Sequence, residues 1–251
     1  MIDIHSHVIP GIDDGAKDEE MAVSMLKMAE KSGTEKLVVT PHFMRGRFDY
    51  EYDEVTEEVE KLRKLAKDNN VNIEIYQGQE IYYSDRIVKY YNRGSIGTIN
   101  GTRYMLIELP MLEFNLDEVI DNLYELQLKG ITPIIAHPER YRPFIRRPSL
   151  INKLINEGCL FQLNAGSITG DFGRDVKKTA EAYLMNRIYN FVGSDAHRDV
   201  RRNTDLTQFL DIVEKEDIAF FKESSEAMLN NEEVEFLGTI LKEKKKFLGI
   251  F

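Results

Sequence analysis

The sequence has no tryptophan and a single cysteine, Cys159. One cysteine excludes an intrachain disulfide framework and fits a reducing compartment. Positive charge is also in deficit. The 33 Lys and Arg stand against 43 Asp and Glu, a net charge of -10, which argues against general nucleic-acid binding because that needs a basic surface. Long apolar runs are missing too: charges interrupt every hydrophobic stretch well before membrane length. No signal-peptide pattern is present, so the cytoplasm is the expected location.

Histidine is scarce as well, and its placement is ordered. The five are His5, His7, His42, His137 and His197, and each follows a short apolar run that reads as a strand. Ile2 and Ile4 alternate with Asp3 and His5, the period of two expected of a strand, on which His5 and His7 share a face. Residues 37–40 lead to His42, residues 134–136 to His137, and residues 190–194 to Asp195 and His197. Two carboxylates occupy equivalent places, Glu80 after 73–77 and Glu108 after 104–107. In the loop after His7, either Asp13 or Asp14 could swing a carboxylate over the strand end, or one of them only shapes the turn. Histidines that all fall at strand exits point to a shared metal centre.

Between the strands lie amphipathic segments. Residues 18–31 carry Met21, Met25, Met28 and Ala29 on one stripe, a core pattern and not a ligand set. Further helices are predicted at 51–68, 84–93, 116–129, 148–157 and 171–185, with helices and polar links from 203 to 246. Seven strands alternating with helices predict a parallel sheet. Candidate ligands at so many strand exits favour a barrel, whose site lies at the carboxyl ends of its strands, over an open doubly wound sheet with one switch point. The 251 residues, 42% hydrophobic, suit one domain over 1–251 with a short tail at 242–251.

Nine candidate ligands are too many for one tetrahedral zinc, which takes four. Imidazoles and carboxylates without thiolate suit manganese, iron or zinc. Several divalent ions sharing bridging carboxylates would lower the pKa of a bound water and neutralise the oxygens of a phosphate ester.

His5-Ser6-His7, Asp14, His42, Glu80, Glu108, His137 and Asp195-Ala196-His197 resemble, in order and spacing, the polymerase and histidinol phosphatase superfamily. The likeness is closer to its bacterial tyrosine phosphatase branch, the capsule and exopolysaccharide phosphatases of Gram-positive bacteria. Asp13-Asp14-Gly15, Gly78-Gln79-Glu80-Ile81, Leu106-Ile107-Glu108, residues 131–140 and Ser194-Asp195-Ala196-His197 carry it. It runs nearly end to end and weakens between Thr204 and Lys242. The resemblance implies a distorted seven-stranded (β/α) barrel, a three-metal site usually assigned to manganese, and hydrolysis of phosphotyrosine.

By the same resemblance, His5, His7, Glu80 and Asp195 would hold one ion; Glu80, Glu108 and His137 a second; Asp14, His42 and His197 a third. Arg140 and Arg202, together with Asp14 and Asp195, are the implied catalytic residues, although Arg201 could serve in place of Arg202. Phe43, Tyr82 and Tyr83, near Arg45 and Arg47, could flank a substrate ring. The implied partner is a phosphotyrosine protein, a membrane-associated tyrosine kinase. A cysteine-dependent phosphatase is excluded, because it needs Arg six positions after its Cys and Ala165 stands there. The rivals are a small-molecule phosphomonoesterase such as a histidinol-phosphate phosphatase, a nuclease of the superfamily, and a metal-stabilised scaffold that docks a kinase. The tail, with four lysines and two phenylalanines, is either a structural terminus or a weak contact to a membrane surface.

Overall fold

The computed structural model describes residues 1–242; beyond Lys242, the tail singled out from the sequence lies outside the described residues. The strands are β1 (Ile2–Ser6), β2 (Lys36–Val39), β3 (His42–Phe43), β4 (Glu74–Gln77), β5 (Glu80–Tyr82), β6 (Tyr104–Glu108), β7 (Thr132–Ala136), β8 (Leu160–Asn164) and β9 (Phe191–Gly193). The helices are α1 (Glu19–Lys31), α2 (Tyr52–Asp68), α3 (Ile87–Asn92), α4 (Leu116–Gln127), α5 (Arg142–Arg146), α6 (Ile151–Asn156), α7 (Ala165–Thr169), α8 (Arg174–Met185), α9 (Thr207–Ile212) and α10 (Lys215–Leu229). Among the described residues, none of these helices is long and apolar enough to cross a membrane.

Every strand pairing is parallel, in a three-stranded sheet β1-β2-β4 and a six-stranded curled sheet β3-β5-β6-β7-β8-β9. The expected count of seven therefore becomes nine among the described residues, because two expected strands are each cut in half. Pro41, which has no N–H to give to a ladder, follows β2. Gly78 interrupts the neighbouring chain at the same level; a Cβ there would lie 3.1 Å from both Thr40 and Val38 side chains. The Gly78 N–H still donates to the Val39 carbonyl (2.9 Å) and the Glu80 N–H to that of Pro41 (3.0 Å). Pairing then resumes with His42 directly beside Glu80. The interruption is what sets two candidate ligands side by side.

Helix starts follow local chemistry. Asp18 caps α1 by accepting from the Met21 N–H (2.9 Å), and Asn115 caps α4 by accepting from that of Asp117 (3.2 Å). At α2, the Glu51 N–H donates to Glu54 Oε2 (2.8 Å), half of a capping box. Two expected helices are shorter than the pattern suggests. The segment at 148–157 opens with a 3-10 turn before α6, and the one at 171–185 is α8 preceded by a separate α7. From 230 to 242 the chain forms no regular element.

The two faces of the six-stranded sheet carry different residues. Met105, Ile107, Ile135, Phe161 and Val192 pack into the cluster shared with the helices, whereas Tyr104, Leu106, Ile134 and Leu160 join Ile2, Ile4 and Val38 in another. Along that second face, β6 runs Tyr104, Leu106, Glu108 and β8 runs Leu160, Gln162, Asn164. Each row starts apolar and turns polar at its carboxyl end, so the fold gathers polar side chains on one rim.

Tyr141 ties this rim together. Its hydroxyl donates to the Ala136 carbonyl (2.7 Å) and accepts from the Leu109 N–H (2.9 Å), at the ends of β7 and β6. The side chain is fully buried. Tyr141→Phe strands both backbone groups away from water, and a denaturant melt should show a loss of about 1–3 kcal/mol.

Candidate metal centre

The carboxyl ends of β1, β6, β7 and β9, the first residues of β3 and β5, and the loop after β1 bring all five histidines and four carboxylates to one rim. His5 and His7 are buried, and each is fixed through Nδ1. His5 Nδ1 meets Gln162 Oε1 at 3.0 Å, and His7 Nδ1 meets Asp13 Oδ2 at 2.7 Å. Such partners set ring orientation and leave Nε2 aimed inward. Gln162 Oε1 also accepts from the His137 N–H (3.2 Å), and Asp13 accepts from the N–H groups of His42 (3.0 Å) and Gly15 (2.8 Å). Asp13 thus settles into the turn behind His7, and Asp14 is the neighbour that faces the cluster.

The donors converge on Glu80. Its Oε2 lies 3.1 Å from His5 Nε2, 3.2 Å from His7 Nε2 and 3.1 Å from His42 Nδ1, while Oε1 lies 2.9 Å from His137 Nε2. Asp195 Oδ1 is 3.7 Å from His5 Nε2 and 3.6 Å from His7 Nε2. Asp14 Oδ1 is 3.5 Å from His42 Nε2 and 3.3 Å from His197 Nε2. Glu108 stands back, 3.8 Å from His137 Nε2 and 3.9 Å from His42 Nδ1. Three sets could each hold a cation: His5, His7, Glu80 and Asp195; His7, Asp14, His42 and His197; His42, Glu80 and Glu108. The first coincides with an expected set, the second is an expected set joined by His7, and the third has His42 where His137 was expected.

Hydrogen bonding and charge test whether cations fit. Glu80 Oε2, His42 Nδ1 and Asp14 Oδ1 are buried and have no hydrogen-bond partner, although potential partners stand within 3.5 Å. Buried polar atoms are seldom left so, and a shared cation satisfies all of them at once. Burial, and then the charge of Glu80, push Glu108 up to about 9, which marks Glu108 as a carboxylate with too little positive charge beside it. Burial also holds His42 and His137 down to about 4, keeping both imidazoles in the neutral form that binds metal. The residues fit a polynuclear metal site.

Asp195 also anchors two arginines. Oδ2 accepts from Arg140 Nη1 (2.5 Å) and Asn164 Nδ2 (2.8 Å), and Oδ1 accepts from Arg202 Nη2 (2.8 Å). Burial works against its charge, but Arg140, His5 and Arg202 outweigh it and hold the carboxyl far below the usual range. Both guanidiniums lie over the Phe172 ring, 4.5 Å and 5.7 Å from its centroid. His137, Asp195 and Arg202 all have positive φ, at 32°, 51° and 49°. Left-handed backbone at non-glycine residues costs energy, and its concentration here marks a functional site.

A family model for capsular polysaccharide synthesis proteins, CpsB/CapC, matches residues 1–239. The chain belongs to the CpsB/CapC family. It is 32% identical over its whole length to the putative tyrosine-protein phosphatase CapC of Staphylococcus aureus, and 32% identical to the tyrosine-protein phosphatase YwqE of Bacillus subtilis, with full coverage of each relative. Among solved structures, one from the pair YwqE of Bacillus subtilis and CpsB of Streptococcus pneumoniae, metal-dependent tyrosine phosphatases, superimposes with a TM-score of 0.89. Identity there is 30%, covering 97% of this chain and 100% of that one.

In this CpsB/CapC chain, the rim differs in part from expectation. Phe43 and Tyr83 are buried, and the Tyr83 hydroxyl donates to the Glu118 carbonyl (3.2 Å), so both serve packing. Tyr82 does line the cavity over the cluster, about 520 Å³ in volume, and Phe48 joins it. The Phe48 ring stacks on His42 at 5.5 Å and 12°, and the Arg47 guanidinium lies 4.9 Å from its centroid. Arg202 borders this cavity and Arg201 does not. Sequence reasoning missed Gln162, Asn164 and Phe172. The first two sit one strand period apart on β8, a signal that was there to be used; Phe172 lies in a turn that no periodicity marks.

Proposed function

We propose that this chain is a metal-dependent protein-tyrosine phosphatase acting in capsule or exopolysaccharide synthesis. The observation that carries the reading is the convergence of His5, His7, His42 and His137 on the two oxygens of Glu80, within 3.2 Å. Three groups of converging donors support three ions. We assign His5, His7, Glu80 and Asp195 to one, Glu80, Glu108 and His137, whose Nε2 lies 2.9 Å from Glu80, to a second, and Asp14, His42 and His197 to a third. Manganese is our choice among manganese, iron and zinc. Bound cations would supply a metal-activated hydroxide and neutralise phosphoryl oxygens.

The chain's own groups do the rest. Asp14 has a side chain 43% exposed, against 1% for Glu80 and Asp195, so the cluster opens to solvent on the Asp14 side and a phosphate monoester enters there. Arg140 and Arg202, braced by Asp195, present N–H donors to the phosphoryl oxygens; a planar fork suits that contact. Phe48, Tyr82 and Met111 give the phenyl ring an apolar wall. A phosphoserine would hold its phosphate too close to its own backbone to reach past that wall.

The finer fold reading is a distorted seven-stranded barrel, with β2 and β3 as one strand and β4 and β5 as another. It is supported where the other edges meet, since the His7 N–H donates to the Ala196 carbonyl (2.9 Å) and the Asp195 N–H to that of His5 (2.8 Å). We place the protein in the cytoplasm as one domain, with a membrane-associated tyrosine kinase as substrate.

Manganese-loaded protein should hydrolyse a phosphotyrosine peptide at least about tenfold faster than the matching phosphoserine peptide or histidinol phosphate, a discrimination of the size one pocket can supply. Equal rates on phosphoserine, or a preference for histidinol phosphate, would contradict the assignment.

A further inference from the structure

A second cavity, about 660 Å³, adjoins the metal centre and shares Asp14, His197 and Arg202 with the 520 Å³ cavity over the cluster. Each falls within the roughly 300–1,000 Å³ that holds one small ligand. On the phosphatase reading a phosphotyrosine side chain takes the cavity over the cluster, which leaves the larger one to be accounted for. The two meet where Phe172, in the larger, lies against Arg140, in the smaller.

The charges around the larger cavity are unevenly engaged. Arg198 Nη1 donates to the carbonyls of Asp14, Gly15 and His197, and Arg202 pairs with Asp195. Asp171 accepts from the Thr169 hydroxyl (3.2 Å), and Asp205 accepts from the Thr207 N–H (2.8 Å) at the start of α9. Arg201 is different. It is exposed and, among the described residues, its guanidinium has no ion-pair or hydrogen-bond partner. Its neighbour Val200, on the same cavity, is 78% exposed. An exposed, unpaired guanidinium at a cavity mouth is free to pair with an anionic group of a bound ligand.

We propose that the larger cavity is a peptide subsite, in which Arg201 receives a carboxylate side chain flanking the phosphotyrosine. The proposal rests on the phosphatase reading and adds the substrate class, a phosphotyrosine in an acidic context. Arg201 touches neither the donor cluster nor the cavity above it, so its effect falls on peptide binding. Exposed ion pairs are weak and screened by salt, and the preference is correspondingly modest.

Three phosphotyrosine peptides of equal length, flanked by Glu, Gln or Lys, distinguish the outcomes beside free phosphotyrosine. The full-length manganese-loaded protein should rank them Glu over Gln over Lys, with kcat/KM differing about fivefold between the extremes and the difference lying in KM. Arg201→Ala should flatten the series and Arg201→Glu should invert it. Rates on free phosphotyrosine should stay within about twofold for both variants, and 1 M salt, where screening acts over about 3 Å, should erase the ranking. The same ranking in wild type and Arg201→Glu, or an equal loss on free phosphotyrosine, would overturn the subsite while leaving the phosphatase intact. Wild-type protein inert on every phosphotyrosine substrate would overturn both.

Discussion

Glu80→Gln is expected to lower kcat/KM on a phosphotyrosine peptide more than about 100-fold and to reduce the metal bound per chain, since even a partner outside the ligand set costs about 10–100-fold when lost. Glutamine keeps the shape of glutamate and one acceptor oxygen but removes the charge. Glu80 is buried, and its two oxygens lie within 3.2 Å of nitrogens from four histidines. Oε2 has no hydrogen bond although three of those nitrogens stand within 3.2 Å of it, which fits the bridging role proposed above. Initial rates at saturating manganese, together with metal analysis of the purified variant, check the expectation. Wild-type rates and wild-type metal content would remove Glu80 from the centre.

Arg140→Ala should produce the second large effect, a fall in kcat of about 100- to 1,000-fold, the range seen when one preorganised donor to a developing charge is removed. Metal content should change little. Asp195 loses one partner but keeps Arg202 and Asn164 at 2.8 Å each, so its carboxylate remains anchored beside His5 and His7. Arg140→Lys should recover only part of the loss, because a point charge cannot reproduce the guanidinium fork or its stacking on Phe172. Metal analysis and single-turnover rates separate this from a ligand defect. A variant that loses metal as well as turnover would make Arg140 a support for Asp195 and not a contact for phosphate.

The parts of the centre legible in the sequence are those tied to strand period. His5 and His7 are two residues apart at the end of β1, so extended geometry points them together. Asp195 and His197 repeat the spacing beyond β9, but with the Asp195 φ at 51° it is the folded loop that directs them. Glu108 ends β6 on the same row as Leu106, a placement the period of two also fixes. The strand count was harder. Pro41 and Gly78 were visible, but that the two interruptions fall one residue apart across neighbouring strands depends on register, which a single segment does not reveal. Phe43 and Tyr83 show the same limit for packing. A parallel sheet covered on both faces buries its side chains on either side, so an aromatic at a strand exit gives no sign of which face it takes. Arg201 and Arg202 are adjacent and chemically equal; the positive φ of Arg202 comes from how the loop returns to the His197 backbone, and only the folded chain separates the two.

Metal stoichiometry titrated against activity tests the polynuclear centre most directly. Protein stripped with chelator and reloaded with manganese should bind more than one ion per chain, with phosphotyrosine hydrolysis absent before loading and rising as the sites fill. Thermal stability should rise with loading, because the ions bind the folded state alone. One ion or fewer per chain at saturating manganese, or full activity in stripped protein, would contradict the account.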